Sequence, residues 1–133
     1  MSQTILIIDD FASVRLYHAS FLTRKGYRCL EAVGGTEALD LLRGNHVDLI
    51  LLDMVMPGMD GNAFVAQLAG KPAWAALPVL LITSEESLAR DLLSDRSRPI
   101  SVLCKPVMPA ALLEGVRRLL PMAPNVAPLP TAI

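Results

Sequence analysis

Four short, largely apolar runs along the chain each stop at a polar residue. Residues 5–8, 49–52, 79–82 and 100–104 form these runs, and Asp9, Asp53, Thr83 and Lys105 follow them. Apolar runs of this length without alternation are typical of strands buried on both faces, as in a parallel sheet. A fifth segment, Arg28–Ala32, has a more mixed composition and is predicted as a further strand.

Segments with helical spacing of apolar residues separate these strands. Such spacing occurs in residues 14–22, 38–42, 64–68, 88–93 and 112–120. Gly26, Gly44 and Gly70 follow three of these segments, and glycine commonly ends a helix. Thr36 is interpreted as the N-cap of the second helix. Strands alternating with helices predict an α/β fold, a doubly wound parallel sheet of five strands with five helices.

The composition excludes several classes of function. Twelve Lys and Arg residues against thirteen Asp and Glu residues give a net charge of −1, so no bulk positive field is available for direct nucleic-acid binding. No stretch approaches the roughly 20 apolar residues of a membrane span, and the first residues lack the features of a signal peptide. Cys29 and Cys104 are interpreted as small, buried apolar side chains. A cytoplasmic protein is expected.

The pattern changes after residue 120. Four prolines fall within residues 121–133, where neither helical nor strand periodicity is visible. We therefore expect one domain over residues 1–120 and a flexible, Pro/Ala-rich tail or linker stub over residues 121–133.

The polar residues that follow the predicted strands should meet at one edge of the sheet. Ligands of open parallel sheets bind beyond the carboxyl ends of the strands, where Asp9, Asp10, Asp53, Thr83 and Lys105 would converge. Neighbouring carboxylates raise one another's pKa unless a cation intervenes, and Mg²⁺ binds one or two carboxylates together with water and phosphate oxygens. This set predicts a site for a phosphoryl group beside Mg²⁺, with a carboxylate as nucleophile.

This constellation resembles the receiver domain of bacterial two-component response regulators. The resemblance rests on the Asp9-Asp10 pair, on Asp53 within the motif LLDMVMPGMDG, on Thr83 and on Lys105-Pro106, and it extends from about residue 4 to about residue 120. It implies the flavodoxin-like strand order 2-1-3-4-5. It also implies a phosphorylation-dependent switch in a phosphorelay, not an enzyme acting on an external substrate.

The resemblance assigns a role to each residue of the acidic cluster. Asp53 matches the phosphoacceptor, which takes its phosphoryl group from a histidine kinase or phosphotransfer protein. Asp10 matches the direct Mg²⁺ ligand, and Asp9 matches the acid that acts through water. The backbone carbonyl of Val55 matches a further metal ligand.

Two more residues match groups that contact the phosphoryl group. Lys105 matches the lysine that pairs with the acceptor, and Thr83 matches the hydroxyl drawn towards a phosphoryl oxygen. The bond between Lys105 and Pro106 matches a peptide that is usually cis in this family, where a cis bond costs little.

The expected switch surface departs from the family pattern. Many receivers carry Tyr or Phe three residues before the lysine, where this chain has Val102. Coupling is therefore expected to run through the loop after Thr83 and the fourth helix. Because Arg90, Arg96 and Arg98 lie in this part of the sequence, we expect an acidic downstream partner to dock on the fourth helix and fifth strand.

Other functions compete with the switch. An unphosphorylated interaction module, or the receiver part of a larger regulator, would share this fold. A phosphohydrolase of the haloacid dehalogenase type needs a second Asp two residues after its nucleophile, where Asp53 is followed by Val55. A flavodoxin-type carrier must cradle a phosphate after the first strand, where Asp9 and Asp10 would repel it.

Overall fold

The structure is a computed structural model that describes residues 2–54, 60–84, 90–93 and 98–120, without the side chains of residues 91 and 92. The described strands are β1 (Thr4–Ile8), β2 (Arg28–Ala32), β3 (Leu49–Asp53), β4 (Val79–Thr83) and β5 (Ile100–Cys104). The described helices are α1 (Ala12–Arg24), α2 (Gly35–Gly44), α3 (Gly61–Ala69), α4 (Arg90–Leu93) and α5 (Pro109–Leu119). The predicted tail, residues 121–133, lies outside the described residues.

The five strands form one parallel sheet in the order β2-β1-β3-β4-β5, which confirms the predicted fold class and strand order. Every residue of β1, β3 and β4 is buried. These three strands are central and covered on both faces, which explains why their sequences show no alternation. The more mixed composition of β2 follows from its position at an edge of the sheet.

Alternate residues of each central strand face opposite sides of the sheet. In β1, Ile5 and Ile7 belong to the core shared with α1 and α5, whereas Leu6 and Ile8 belong to the core shared with α2 and α3. Period-two alternation of side chains along a strand produces these two layers. Helices on both faces leave the carboxyl ends of the strands open at one edge.

Glycine permits close packing at two helices. A Cβ atom at Gly61, the first residue of α3, would lie 2.7 Å from the Met54 sulfur and 3.2 Å from the Met54 Cα. A Cβ atom at Gly115 in α5 would lie 3.2 Å from a methyl group of Leu80. The two helices therefore approach β3 and β4 more closely than a larger residue would permit.

The start of α2 differs from the prediction. Gly34, not Thr36, is the N-cap, and its backbone is extended. The carboxylate of Glu37 accepts a hydrogen bond of 2.8 Å from the backbone N–H of Val33. The helix starts at Gly35, before Thr36, so Thr36 is a helical residue and not the cap.

Candidate functional site

Three carboxylates meet at the carboxyl edge of the sheet. Asp53 is the last residue of β3, and Asp9 and Asp10 directly follow its neighbour β1. Asp9 and Asp53 are buried and Asp10 is half-buried. One oxygen atom from each carboxylate lies within 4.8 Å of the others. The structure therefore brings together the three acids that the sequence placed at this edge.

Lys105 follows β5, which lies on the opposite side of β3 from β1 in the sheet, and its side chain approaches Asp53. Its ammonium group lies 3.4 Å from Oδ1 of Asp53, with the lysine side chain 38% exposed and the aspartate side chain 4% exposed. The backbone N–H of Lys105 donates a 2.9 Å hydrogen bond to the carbonyl of Thr83, which is buried at the end of β4. The peptide bond between Lys105 and Pro106 is cis. The cation and the hydroxyl residue are thus joined through their backbones.

The loop between β1 and α1 is held by three hydrogen bonds. Oδ1 of Asp9 accepts from the backbone N–H of Phe11 at 2.9 Å. The backbone N–H of Asp9 donates to the carbonyl of Ala32 at 3.2 Å. The Asp9 carbonyl accepts from Nη1 of Arg15 at 2.7 Å. Arg15 was not identified from the sequence, although its place one helical turn after Phe11 lets it reach back to the loop.

Met54, which directly follows Asp53, is hydrogen-bonded to β4 and to α3. The N–H of Met54 donates to the Ile82 carbonyl at 3.0 Å, and the Met54 carbonyl accepts from Gly61 at 2.8 Å. Asp60 caps α3 by accepting from the N–H of Ala63 at 2.8 Å. Val55, whose carbonyl is predicted to bind metal, lies outside the described residues.

The electrostatics of the cluster favour a bound cation. Burial, the largest cause, raises the pKa of Asp9, and the neighbouring charge of Asp10 acts in the same direction. The hydrogen bond from Phe11 and the charges of Lys105 and Arg15 lower that pKa and only partly offset the effect. Among the described residues, buried Oδ1 of Asp10 has no hydrogen-bond partner. An unsatisfied carboxylate oxygen among hard oxygen donors fits Mg²⁺.

His18 lies on the buried face of α1 and is 4% exposed. Its Nδ1 atom is buried and has no hydrogen-bond partner among the residues that the structure describes. Burial lowers the pKa of His18 below its ordinary value of 6.5, and the charge of Lys105 lowers it further. Folding therefore favours the neutral form of this imidazole.

His18 should make the protein less stable in mild acid. With a pKa lowered by folding, its contribution to stability is present above about pH 6.5 and is lost as the pH falls towards the folded-state value. We expect His18→Leu to remove this loss when free energies of unfolding in urea are compared at about pH 7.5 and about pH 5. His46, the other histidine, is exposed and lies 2.9 Å from Oδ1 of Asp48, and His46→Gln should still lose stability in acid because it retains His18. An equal acid loss in His18→Leu would refute the assignment.

The predicted docking face is partly corrected by the structure. Arg98 is only 4% exposed and donates to the carbonyls of Trp74 and Leu77 at 3.0 and 3.2 Å, so it is a buried structural residue and not a surface cation. Arg90 is exposed, and Arg96 lies outside the described residues.

The fifth strand holds a second correction. Cys104, the last residue of the edge strand β5, is exposed, contrary to its interpretation as a buried residue. Val102 is partly buried and packs against the core on the side of α2 and α3. At the position where many receivers carry Tyr or Phe, this chain therefore has a small valine side chain that contacts the core.

Comparison with known proteins agrees with this geometry. The family described as "Response regulator receiver domain" matches residues 5–117. The response regulator PleD of Caulobacter vibrioides is 37% identical over 120 residues, which cover 90% of this chain and 26% of PleD. This chain thus spans about a quarter of the length of that relative.

Two solved structures share the fold. The chemotaxis response regulator CheY4 of Vibrio cholerae is 28% identical with a TM-score of 0.81, covering 90% of this chain and 99% of that one. The receiver domain of a Pseudomonas aeruginosa sensor histidine kinase, solved with magnesium coordinated in its active site cleft, is 22% identical with a TM-score of 0.79. That likeness covers 92% of this chain and 100% of the other.

Within the described residues, no helix has the length and hydrophobicity needed to cross a membrane. Receiver domains are signalling modules of two-component systems and not enzymes with an external substrate. The family match covers most of the chain, and the acidic cluster lies where such a domain carries its phosphoacceptor site. The chain therefore belongs to the response regulator receiver domain family.

Proposed function

We propose that Asp53 accepts a phosphoryl group from a histidine kinase or phosphotransfer protein, with Mg²⁺ bound beside it, and that the phosphorylated form signals by protein contact. The observation that carries this proposal is the cluster of three carboxylates within 4.8 Å, with the Lys105 ammonium 3.4 Å from Asp53. No other described group of His, Cys, Asp and Glu side chains offers a comparable metal site.

The proposed Mg²⁺ ligands are carboxylate and carbonyl oxygens around the acidic cluster. Asp10 and Asp53 would bind Mg²⁺ directly, Asp9 would act through water, and the Val55 carbonyl would complete the protein ligands. The unpartnered oxygen of Asp10 supports its role as a ligand, and the magnesium in the active site cleft of the Pseudomonas receiver supports the choice of metal. When bound, Mg²⁺ neutralises charge on the transferring phosphoryl oxygens.

In the transfer, an oxygen of Asp53 forms a bond to phosphorus while the bond from phosphorus to the donor histidine nitrogen breaks. The imidazole keeps the electron pair and takes a proton from solvent. Lys105 stabilises the negative charge on the phosphoryl group, since its ammonium already lies beside Asp53. Thr83 donates its hydroxyl to a phosphoryl oxygen, which couples the site to β4.

We assign this role to a receiver domain over residues 1–120, followed by a tail or linker stub over residues 121–133. The alternative is a receiver within a larger regulator such as PleD, of which this chain spans about a quarter. The proposal places the protein in the cytoplasm, where kinases draw phosphoryl groups from ATP.

The experiment is phosphorylation by a small-molecule donor such as acetyl phosphate, followed by intact mass. We expect one added phosphoryl group in the presence of Mg²⁺ and none after chelation by EDTA. Equal modification with and without Mg²⁺ would contradict the proposed metal role. No modification under either condition would favour the unphosphorylated interaction module.

We also propose that the downstream partner docks on α4 and β5. Arg90 and Leu93 are exposed there, and the hydrogen bond from Lys105 to Thr83 connects β5 to the site. A phosphoryl-group mimic should shift the amide NMR signals of Thr83 and Arg90 more than the methyl signals of Val102. Large Val102 shifts beside unchanged Thr83 and Arg90 signals would refute this coupling.

A further inference from the structure

Arg15 joins the acidic loop to the neighbouring strand. Its Nη1 donates to the backbone carbonyl of Asp9 at 2.7 Å, while its Nε donates to Oε1 of Glu31 at 3.2 Å. Its side chain is only 15% exposed, whereas that of Glu31 is 37% exposed. One planar guanidinium thus holds two acceptors that come from β2 and from the end of β1.

The acceptor on the loop is the peptide unit between Asp9 and Asp10. A fixed carbonyl fixes the plane of this peptide, and with it the ψ angle of Asp9 and the direction in which the chain enters Asp10. The N–H of Asp9 donates to the carbonyl of Ala32, which lies in β2 beside Glu31. Both polar groups of the Asp9 backbone are therefore anchored before the metal binds.

We infer that Arg15, held in place by Glu31, is a positioning residue that prepares the Asp9-Asp10 pair to bind Mg²⁺. The inference rests on the proposed metal-dependent function and assigns part of it to a residue outside the acidic cluster. Rigid groups that hold a ligand in its binding orientation are known to change metal affinity without touching the metal.

If Arg15 acted only through its charge, its replacement would change the Mg²⁺ affinity in the opposite direction. Arg15 is a cation near the cluster, and its charge lowers the pKa of Asp9. If only its charge mattered, Arg15→Gln would remove a repulsion and tighten Mg²⁺ binding. If it positions the loop, Arg15→Gln weakens Mg²⁺ binding, since the loop must be ordered at the cost of binding free energy.

The experiment is a Mg²⁺ titration followed by the amide NMR signals of residues 9–11. We expect Arg15→Gln to weaken Mg²⁺ binding by about tenfold, the lower end of the range for residues that orient metal ligands. Arg15→Lys keeps the charge but cannot reach both acceptors with one planar group, so its affinity should fall between those of Arg15→Gln and wild type.

Arg118 provides a matched control, because it pairs with Glu114 on the exposed surface of α5. Arg118→Gln should bind Mg²⁺ like the wild type. The free energy of unfolding without metal is measured in parallel to separate lost affinity from lost folding. Unchanged or tighter Mg²⁺ binding by folded Arg15→Gln would overturn the inference, as would wild-type affinity in Arg15→Lys. Absence of Mg²⁺ binding by the wild type would overturn the proposed function as well.

Discussion

Replacing Asp53 by asparagine is expected to abolish phosphorylation by acetyl phosphate in the presence of Mg²⁺. The amide has the size of the carboxylate, so the fold around this buried position should be retained. It lacks the anionic oxygen that forms the bond to phosphorus, and the initial rate should fall by roughly 10³-fold or more, as for loss of a nucleophile. Intact mass and the position of the modified peptide measure the result.

Asp60 supplies the control for this substitution. Asp60 lies a few residues after Asp53 in the sequence and is exposed. Its carboxylate caps α3. Asparagine caps a helix about as well as aspartate, so Asp60→Asn should remain folded and be phosphorylated at the wild-type rate. Modification that persists in Asp53→Asn would place the acceptor elsewhere.

Replacing Asp10 by asparagine should have two effects of opposite sign. Mg²⁺ affinity should fall by about tenfold or more, because the site loses a charged ligand. The free energy of unfolding without metal should rise by about 1 kcal/mol, because the charge that helps raise the pKa of Asp9 is removed. Calorimetric Mg²⁺ titration and urea unfolding in EDTA measure the two quantities.

Asp40 is a suitable reference for Asp10. It lies on the exposed surface of α2, where it pairs with Arg43. Because exposed ion pairs contribute little, Asp40→Asn should change neither Mg²⁺ affinity nor stability appreciably. Wild-type Mg²⁺ affinity in Asp10→Asn would refute the ligand role. Lost affinity without a gain in stability would refute only the argument from charge repulsion.

The strand ends could be predicted from the sequence because burial on both faces leaves a clear pattern. The apolar runs stop at Asp9 and Asp53, and parallel pairing brings both ends to one edge. The environment of Arg98 could not be predicted in this way. A guanidinium can be buried where carbonyl groups accept its protons, and the acceptors at Trp74 and Leu77 are more than twenty residues away in sequence.

The contact between Arg15 and Glu31 could be predicted only with knowledge of the register between β1 and β2. Glu31 lies opposite Ile7 in the pairing of β1 with β2, so its side chain comes within reach of the first turns of α1. Nothing in the composition of either segment indicates this pairing. Sequence patterns identify elements and their ends, whereas contacts between polar side chains depend on which strands are neighbours and in which register.

The close approach of α5 to β4 also bears on how the protein is made. Gly115 packs against Leu80, and Leu112 and Val116 are fully buried on the same face of the sheet. During synthesis, the central strands leave the ribosome well before α5, so that face remains exposed to solvent for much of translation. A nascent chain that stalls before residue 112 would present this apolar surface to chaperones and to other chains.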